Sequence, residues 1–126
     1  MNGIFVDTDG WMALADAANP SHEACREARD ASLRGGTVLV TTDYVLDETL
    51  TLIRLRLGLA AARRWWDQVD ASARVRWESI DVRRAEKARG WFFGWGDKDF
   101  SFTDCTSFVV MRELRLRRAL TTDAHF

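Results

Sequence analysis

The sequence predicts an α/β domain in which helical layers cover both faces of a mostly parallel β-sheet. Short apolar runs of strand length, at residues 4–6 and 37–41, alternate along the chain with longer segments of helical periodicity. Continuous apolar runs of this kind are typical of parallel strands that are buried on both faces. A length of 126 residues suits one compact domain. We therefore expect a three-layer α/β/α arrangement and treat residues 1–126 as a single domain.

The first half of the chain is predicted to contain two strand-then-helix steps. Asn19-Pro20 resembles a helix start, Gly35-Gly36 a helix end, and Thr42 a helix cap. The predicted elements are a strand at 4–6, helices at 10–17 and about 20–34, a strand at 37–41 and a helix to about 57.

The second half continues the same alternation. Helical periodicity resumes after Gly58, and Val75 and Trp77 alternate with charged residues as in a strand. Asp81 and Ser101 are predicted to cap two further helices. The predicted elements are a helix through 66, a strand at about 75–79, a helix to about 93, a loop at 94–100, a helix from 101 and a final strand at 118–122.

Composition limits the location and the partners of the protein. The net charge is −1, but only two of the 18 basic residues are lysines, and arginine binds phosphate in a bidentate manner. Arginine patches therefore keep RNA binding open in spite of the acidic balance. Cys25 and Cys105 lack metal-ligand spacing, so we expect reduced core thiols. No leader-like or membrane-length apolar run occurs, and we expect a cytoplasmic protein without membrane contact.

Four acids are predicted to meet at the carboxyl edge of the sheet, where such folds bind ligands. Asp7 and Asp123 follow the first and last strands, Glu48 lies in the helix after the second strand, and Asp104 lies in the helix opened by Ser101. Each acid also has an ordinary structural explanation. Asp7 and Asp123 suit turns, Asp104 suits a capping box, and Glu48 suits the edge of the core.

A group of carboxylates without histidine or cysteine favours Mg²⁺, with Mn²⁺ as a substitute, over zinc. Such ions promote phosphodiester hydrolysis by activating water and by stabilising the leaving oxygen. Without a cation, clustered carboxylates repel one another.

Four segments in order along the chain resemble the PIN-domain family, especially the VapC-type toxins of type II toxin–antitoxin systems: VDTDGW, VLDETL, DKDFSFTDCTSFVVM and ALTTDAHF. The resemblance implies a Rossmann-like PIN domain, Mg²⁺- or Mn²⁺-dependent endoribonuclease activity, a homodimer and inhibition by a VapB-like antitoxin. By motif, it implies that Asp7, Glu48, Asp104 and Asp123 are the catalytic metal ligands. Thr8 and Asp99 are implied as accessory residues.

The chain departs from the family pattern in two places. Asp9 stands where many relatives have serine or another small residue, and the sequence stops at Phe126, the last residue of the fourth motif, whereas relatives usually continue for several residues. His125 is left out of the catalytic set, because the family relies on water activated by metal. The tryptophans are predicted to serve as core or interface anchors rather than as base-stacking groups.

Three other functions remain open at this point. Asp7-Thr8-Asp9-Gly10 resembles the nucleophile motif of haloacid-dehalogenase phosphatases, although the later lysine and paired acids of that family are missing. A housekeeping RNA-processing PIN nuclease and a non-catalytic PIN scaffold that binds RNA or protein are the alternatives within the fold. The small size and the late motifs favour the toxin.

Overall fold

The computed structural model describes residues 2–123 and 126. In this part of the chain, four strands and six helices follow one another in the order β1 (Gly3–Val6), α1 (Thr8–Ala15), α2 (His22–Arg34), β2 (Val38–Thr42), α3 (Asp43–Leu57), α4 (Leu59–Ala71), β3 (Val75–Glu78), α5 (Val82–Gly94), α6 (Phe102–Glu113) and β4 (Ala119–Leu120).

The strands form one parallel sheet in the order β3-β2-β1-β4. The register pairs Ile4 with Leu39 and Phe5 with Ala119, so β1 lies between β2 and β4. All four residues of β1 are buried, as its continuous apolar sequence predicts. The predicted three-layer α/β/α fold is confirmed, with a sheet that is parallel throughout.

The main core lies where helices pack on the central strands. Phe5, Val40, Ile53 and Val110 are at most 1% exposed and belong to one apolar cluster. A smaller cluster of Ala88, Cys105 and Val109 joins α5 to α6. This second cluster therefore holds α5 and α6 together.

Side-chain caps set several helix starts as predicted. Thr42 accepts a hydrogen bond from the backbone N–H of Val45, and Asp81 accepts one from that of Arg84. Ser101 and Asp104 form a complete capping box at the start of α6. β2 and β3 therefore lead into α3 and α5 at one edge of the sheet, and the capping residues Thr42 and Asp81 place polar side chains there.

Some predicted boundaries are wrong. The helix predicted from residue 20 begins at His22, because the side chain of Asn19 accepts from the N–H of Ser21 and holds Pro20 in a turn. The first helix begins at Thr8 rather than residue 10, since Asp7 itself caps it. The final strand is only Ala119–Leu120.

Two further expectations concern the edge strand and the cysteines. The strand at β3 is confirmed, but Trp77 is 38% exposed and packs edge-on against Trp66 rather than entering the core. Cys25 and Cys105 are free and buried, as predicted. Across the described residues, every helix is too short or too polar to cross a bilayer.

Candidate metal centre

Asp7 is the most buried of the predicted acids, with 4% of its surface exposed. It follows β1 and caps α1, where one carboxylate oxygen accepts a hydrogen bond from the Gly10 N–H at 2.8 Å. The other oxygen accepts from the Thr121 hydroxyl at 2.6 Å. The carboxyl group is therefore held from both α1 and the segment after β4.

Burial raises the pKa of Asp7 to about 6, although the hydrogen bonds from Thr121 and Gly10 oppose this shift. The negative charges of Asp9 and Asp104 raise the pKa further. Asp7 and Asp104 are 97 residues apart in sequence, and the fold brings them near enough for the charge of Asp104 to act on Asp7.

Asp104 lies in the first turn of α6 and forms two hydrogen bonds with Ser101. Its carboxylate accepts from the Ser101 N–H at 3.1 Å, and its own N–H donates to the Ser101 hydroxyl at 2.9 Å. Burial raises the pKa of Asp104 against these bonds, and the charges of Asp123 and Glu48 raise it as well. The predicted capping role is confirmed, and it coexists with a place among the acids.

Glu48 and Asp123 complete the predicted set. Both are half-buried, Glu48 on α3 and Asp123 just after β4. The backbone N–H of Asp123 donates to the Thr121 hydroxyl at 2.9 Å, so Thr121 connects Asp123 with Asp7. The four predicted acids therefore lie at one edge of the sheet, linked through Asp104 and Thr121.

The acids lie near one another, but their side chains are not arranged as the ligands of a metal ion among the described residues. Within residues 2–123 and 126, no three acidic, histidine or cysteine side chains are arranged closely enough to hold a metal ion as they stand. The set of ligands implied by the motifs stays a prediction.

The accessory candidates behave differently from one another. Thr8 is 7% exposed, and among the described residues its hydroxyl has no hydrogen-bond partner. Asp99 lies in the exposed loop between α5 and α6, and its predicted role stays untested. His125 falls outside the described residues.

Thr121 and Arg56 were not among the predicted site residues, and Asp9 was noted as a departure from the family pattern. Burial and the charge of Asp123 raise the pKa of Asp9, while the Arg56 guanidinium lowers it. The motif around Asp123 contained Thr121, but only its acid was selected. Arg56 is two helical turns after Glu48 on α3, a spacing that places both residues near one face.

The donor chemistry suits a hard divalent cation. The site offers carboxylate oxygens and the unpartnered hydroxyl of Thr8, and burial leaves at least two carboxyl groups with raised pKa values. A cation would offset the repulsion between Asp7 and Asp104, neither of which forms an ion pair with lysine or arginine among the described residues.

Comparison with known protein families agrees with this geometry. The profile of the PIN domain matches residues 4–126. The chain belongs to the PIN-domain family. The basis for the phosphatase alternative is thereby removed, because its motif at residues 7–10 lies inside the PIN match.

Two curated relatives come from Mycobacterium tuberculosis. The "23S rRNA-specific endonuclease VapC20" is 33% identical over 98% of this chain and 91% of the relative. The "Ribonuclease VapC26" is 29% identical over 98% of this chain and 89% of the relative. The crystal structure of VapC20, described as a sarcin-ricin loop cleaving toxin, superposes with a TM-score of 0.84 at 33% identity, covering 95% of this chain and 89% of that one.

Proposed function

We propose that this chain is the toxin of a type II toxin–antitoxin pair and that it acts as an RNA endonuclease. The observation that carries the proposal is the group of acids around Asp7 and Asp104, which interact across the carboxyl edge of a parallel sheet. A protein that only binds RNA gains nothing from grouping negative charges that repel phosphate. The PIN-domain match and the names of both VapC relatives support the same activity.

Mg²⁺ is the proposed cofactor, with Mn²⁺ as a substitute. Asp7, Glu48, Asp104 and Asp123 would hold it, with Thr8 and Asp99 as accessory candidates. When bound, a divalent ion supplies an activated water and stabilises charge on the leaving oxygen.

The protein's own groups set the starting state of the site. The Thr121 hydroxyl and the Gly10 N–H orient the two oxygens of Asp7. With a pKa of about 6, Asp7 is mostly ionised at pH 7 and ready to bind a cation. The Ser101 N–H holds one oxygen of Asp104 and leaves the other for a ligand.

The proposed substrate is a loop in a large structured RNA. The printed names of VapC20 refer to 23S rRNA and to the sarcin-ricin loop. VapC20 has the same fold as this chain and is 33% identical to it in sequence. Sequence-specific RNA recognition generally targets unpaired loop nucleotides, whose bases are accessible to side chains. We propose ribosomal RNA as the first substrate to test.

The proposed partners are a VapB-like antitoxin and a second copy of the chain, and the proposed location is the cytoplasm. The VapC relatives support the antitoxin, whereas the homodimer rests only on the resemblance of the motifs to VapC-type toxins. The cytoplasmic location follows from an RNA target of this kind.

The test is cleavage of total RNA by the purified chain in Mg²⁺, in Mn²⁺ and in EDTA, with primer extension to locate the cuts. We expect one or a few cuts in ribosomal RNA in either metal, none in EDTA, and recovery when Mg²⁺ is restored. Cutting that persists in EDTA would contradict metal dependence. Intact RNA in every metal, with isolated ribosomes also intact, would favour the non-catalytic scaffold. Many cuts in precursor RNA with no effect on growth would favour the housekeeping nuclease.

A further inference from the structure

Four aromatic rings form a continuous strip beside the acids. We call Tyr44, Phe92, Phe93 and Phe102 the aromatic strip. Ring centroids are 5.3 Å apart for Phe93 and Phe92, 5.9 Å for Phe92 and Phe102, and 6.4 Å for Phe102 and Tyr44. The strip thus runs from the end of α5 across the start of α6 to the start of α3.

The strip becomes more exposed with distance from α3. Tyr44 and Phe102 are half-buried, Phe92 is 37% exposed and Phe93 is 76% exposed. Phe93 therefore offers most of its ring to solvent, next to the partly exposed ring of Phe92.

The inner end of the strip lies on the first turns of α3 and α6, the helices that carry Glu48 and Asp104. Tyr44 is one helical turn before Glu48 on α3, and Phe102 is two residues before Asp104 in the first turn of α6. Any chain that lies along the strip is led toward the edge where the acids meet.

A basic residue accompanies the exposed rings. Arg89 lies three and four residues before Phe92 and Phe93 on α5, so the three side chains share one side of the helix. Arg89 is exposed, and within the described part of the chain it forms neither an ion pair nor a hydrogen bond. Its guanidinium is free to bind a phosphate in a bidentate manner.

We propose that the aromatic strip and Arg89 form a binding track for unpaired nucleotides of the RNA substrate, with bases stacked on Phe92 and Phe93 and a phosphate on Arg89. This track would bind the RNA that the proposed function assigns to the protein, so its ligand rests on that function. Aromatic faces stack every base, so the track selects unpaired loop nucleotides rather than a sequence.

A nucleic acid suits this surface better than a second copy of the chain. The exposed parts of Phe92 and Phe93 amount to on the order of 200 Å², since a buried aromatic side chain covers about 150–250 Å². A stable interface needs about 800 Å² on each partner. One or two bases match the smaller area, and the nearby cation matches the phosphate that joins them.

The track is tested by binding of a short single-stranded RNA oligonucleotide containing 2-aminopurine, in EDTA, so that the proposed metal-dependent cleavage is not required. We expect wild-type protein to quench the 2-aminopurine fluorescence on binding, as stacking does. Phe93→Ala should bind about tenfold more weakly with less quenching. Leu55→Ala removes a side chain that is 75% exposed on α3 and should leave binding and quenching unchanged.

Arginine variants separate the phosphate contact from stacking. Arg89→Ala should reduce the slope of log affinity against log salt by about 0.7, because one phosphate contact on a single strand is lost. Arg83→Ala, an exposed residue on another side of α5, should leave the slope unchanged. Phe93→Ala should weaken binding without changing the slope.

Several results would overturn the track. The first is failure of wild-type protein to bind the oligonucleotide. The second is a Phe93→Ala protein that binds and quenches as wild type does. The third is a Phe93→Ala protein whose oligomeric state on sedimentation differs from that of wild type while its RNA binding is intact. The last result would assign the strip to a protein contact. Strong binding with quenching by a protein that cuts no RNA in Mg²⁺ would support the track and refute the nuclease, so the two failures are distinct.

Discussion

Asp7 combines a structural and a chemical task in one carboxyl group. As the cap of α1 it satisfies the Gly10 N–H, and as a buried acid it costs the folded state free energy whenever it is ionised. Folding raises its pKa from an ordinary value of 3.8 to about 6. The protonated form is therefore favoured by the folded chain, and stability falls as pH rises between these two values.

Asp7→Asn should accordingly stabilise the metal-free protein above pH 6, by about 3 kcal/mol if the full shift is expressed. Asparagine caps helices as well as aspartate does, so α1 should remain intact. The gain should vanish below about pH 4, where Asp7 is protonated in both the folded and the unfolded state. Denaturant unfolding in EDTA at several pH values measures this.

Asp70→Asn, at an exposed position on α4, is the matched control and should show no such pH dependence. Adding Mg²⁺ should raise the melting temperature of wild-type protein and not that of Asp7→Asn, because only the former retains the proposed ligand. Equal stabilisation of both proteins by Mg²⁺ would contradict a role for Asp7 in metal binding.

Thr121 is expected to tune Asp7. Thr121→Val removes the 2.6 Å hydrogen bond that favours the ionised carboxylate, so the pKa of Asp7 should rise above 6 and cleavage near neutral pH should fall. Carboxyl ¹³C NMR titration in EDTA follows the pKa directly. Thr122→Val, at the exposed neighbouring position, should leave it unchanged. An unaltered Asp7 titration in Thr121→Val would refute this positioning role.

The sequence identifies residues at the site better than it identifies their partners. Asp7 and Asp104 were predicted because each stands at a strand end or a helix start, which are local features. The bond from Thr121 to Asp7 joins residues 114 positions apart, and no local pattern encodes it. The acid motif around Asp123 was visible, but the role of its threonine depends on the pairing of β4 with β1.

Among the elements, α1 packs unusually close to β4. A Cβ added at Gly10 would lie 2.0 Å from the backbone oxygen of Leu120. Backbone atoms cannot move aside cheaply, so only glycine permits this approach. The same approach brings Asp7 on one element to Thr121 after the other.

Gly10→Ala should therefore destabilise the protein by about 3 kcal/mol and reduce cleavage, because α1 and β4 must separate. Gly90→Ala is the control within a helix, since a Cβ there would meet nothing within 4 Å, and it should stabilise by about 0.5–1 kcal/mol. Thermal or denaturant unfolding measures both. A Gly10→Ala protein as stable as wild type would show that this contact does not constrain the site.

The prediction of helix starts was correct where a side-chain cap is strong. It was wrong where two local signals competed. Thr42, Asp81 and Ser101 were identified correctly as caps. At residues 19–20 the asparagine formed a turn with the backbone of Ser21 before the helix began. The final strand is shorter than the predicted range 118–122, because only Ala119 and Leu120 pair with β1.

At the scale of the whole molecule, alternation of strands and helices was sufficient to predict a parallel α/β/α domain. The strand order β3-β2-β1-β4 was not predicted, because it depends on pairing between distant segments. This order makes β1 central and brings the segments after β1 and β4 together at one edge. The predicted gathering of acids follows from that topology, whereas the hydrogen bonds that hold Asp7 needed the structure.

The toxin role leads to an expectation for cells. Expression of wild-type chain should arrest growth, and coexpression of the proposed VapB-like antitoxin should restore growth. Asp104→Asn should grow normally at an equal protein level on immunoblot, since one proposed ligand is lost. Arrest by Asp104→Asn would indicate toxicity that does not depend on the acids.

The most direct test of the account is the single-turnover cleavage rate of ribosomal RNA in Mg²⁺ for wild type, Asp104→Asn and Asp70→Asn. Asparagine keeps the shape of the side chain at both positions while removing its charge, and circular dichroism checks that each protein is folded. We predict that Asp70→Asn cuts at the wild-type rate and that Asp104→Asn is slower by at least about 100-fold, equivalent to about 2.7 kcal/mol of lost transition-state stabilisation. Equal rates for all three proteins would contradict a catalytic site built from these acids.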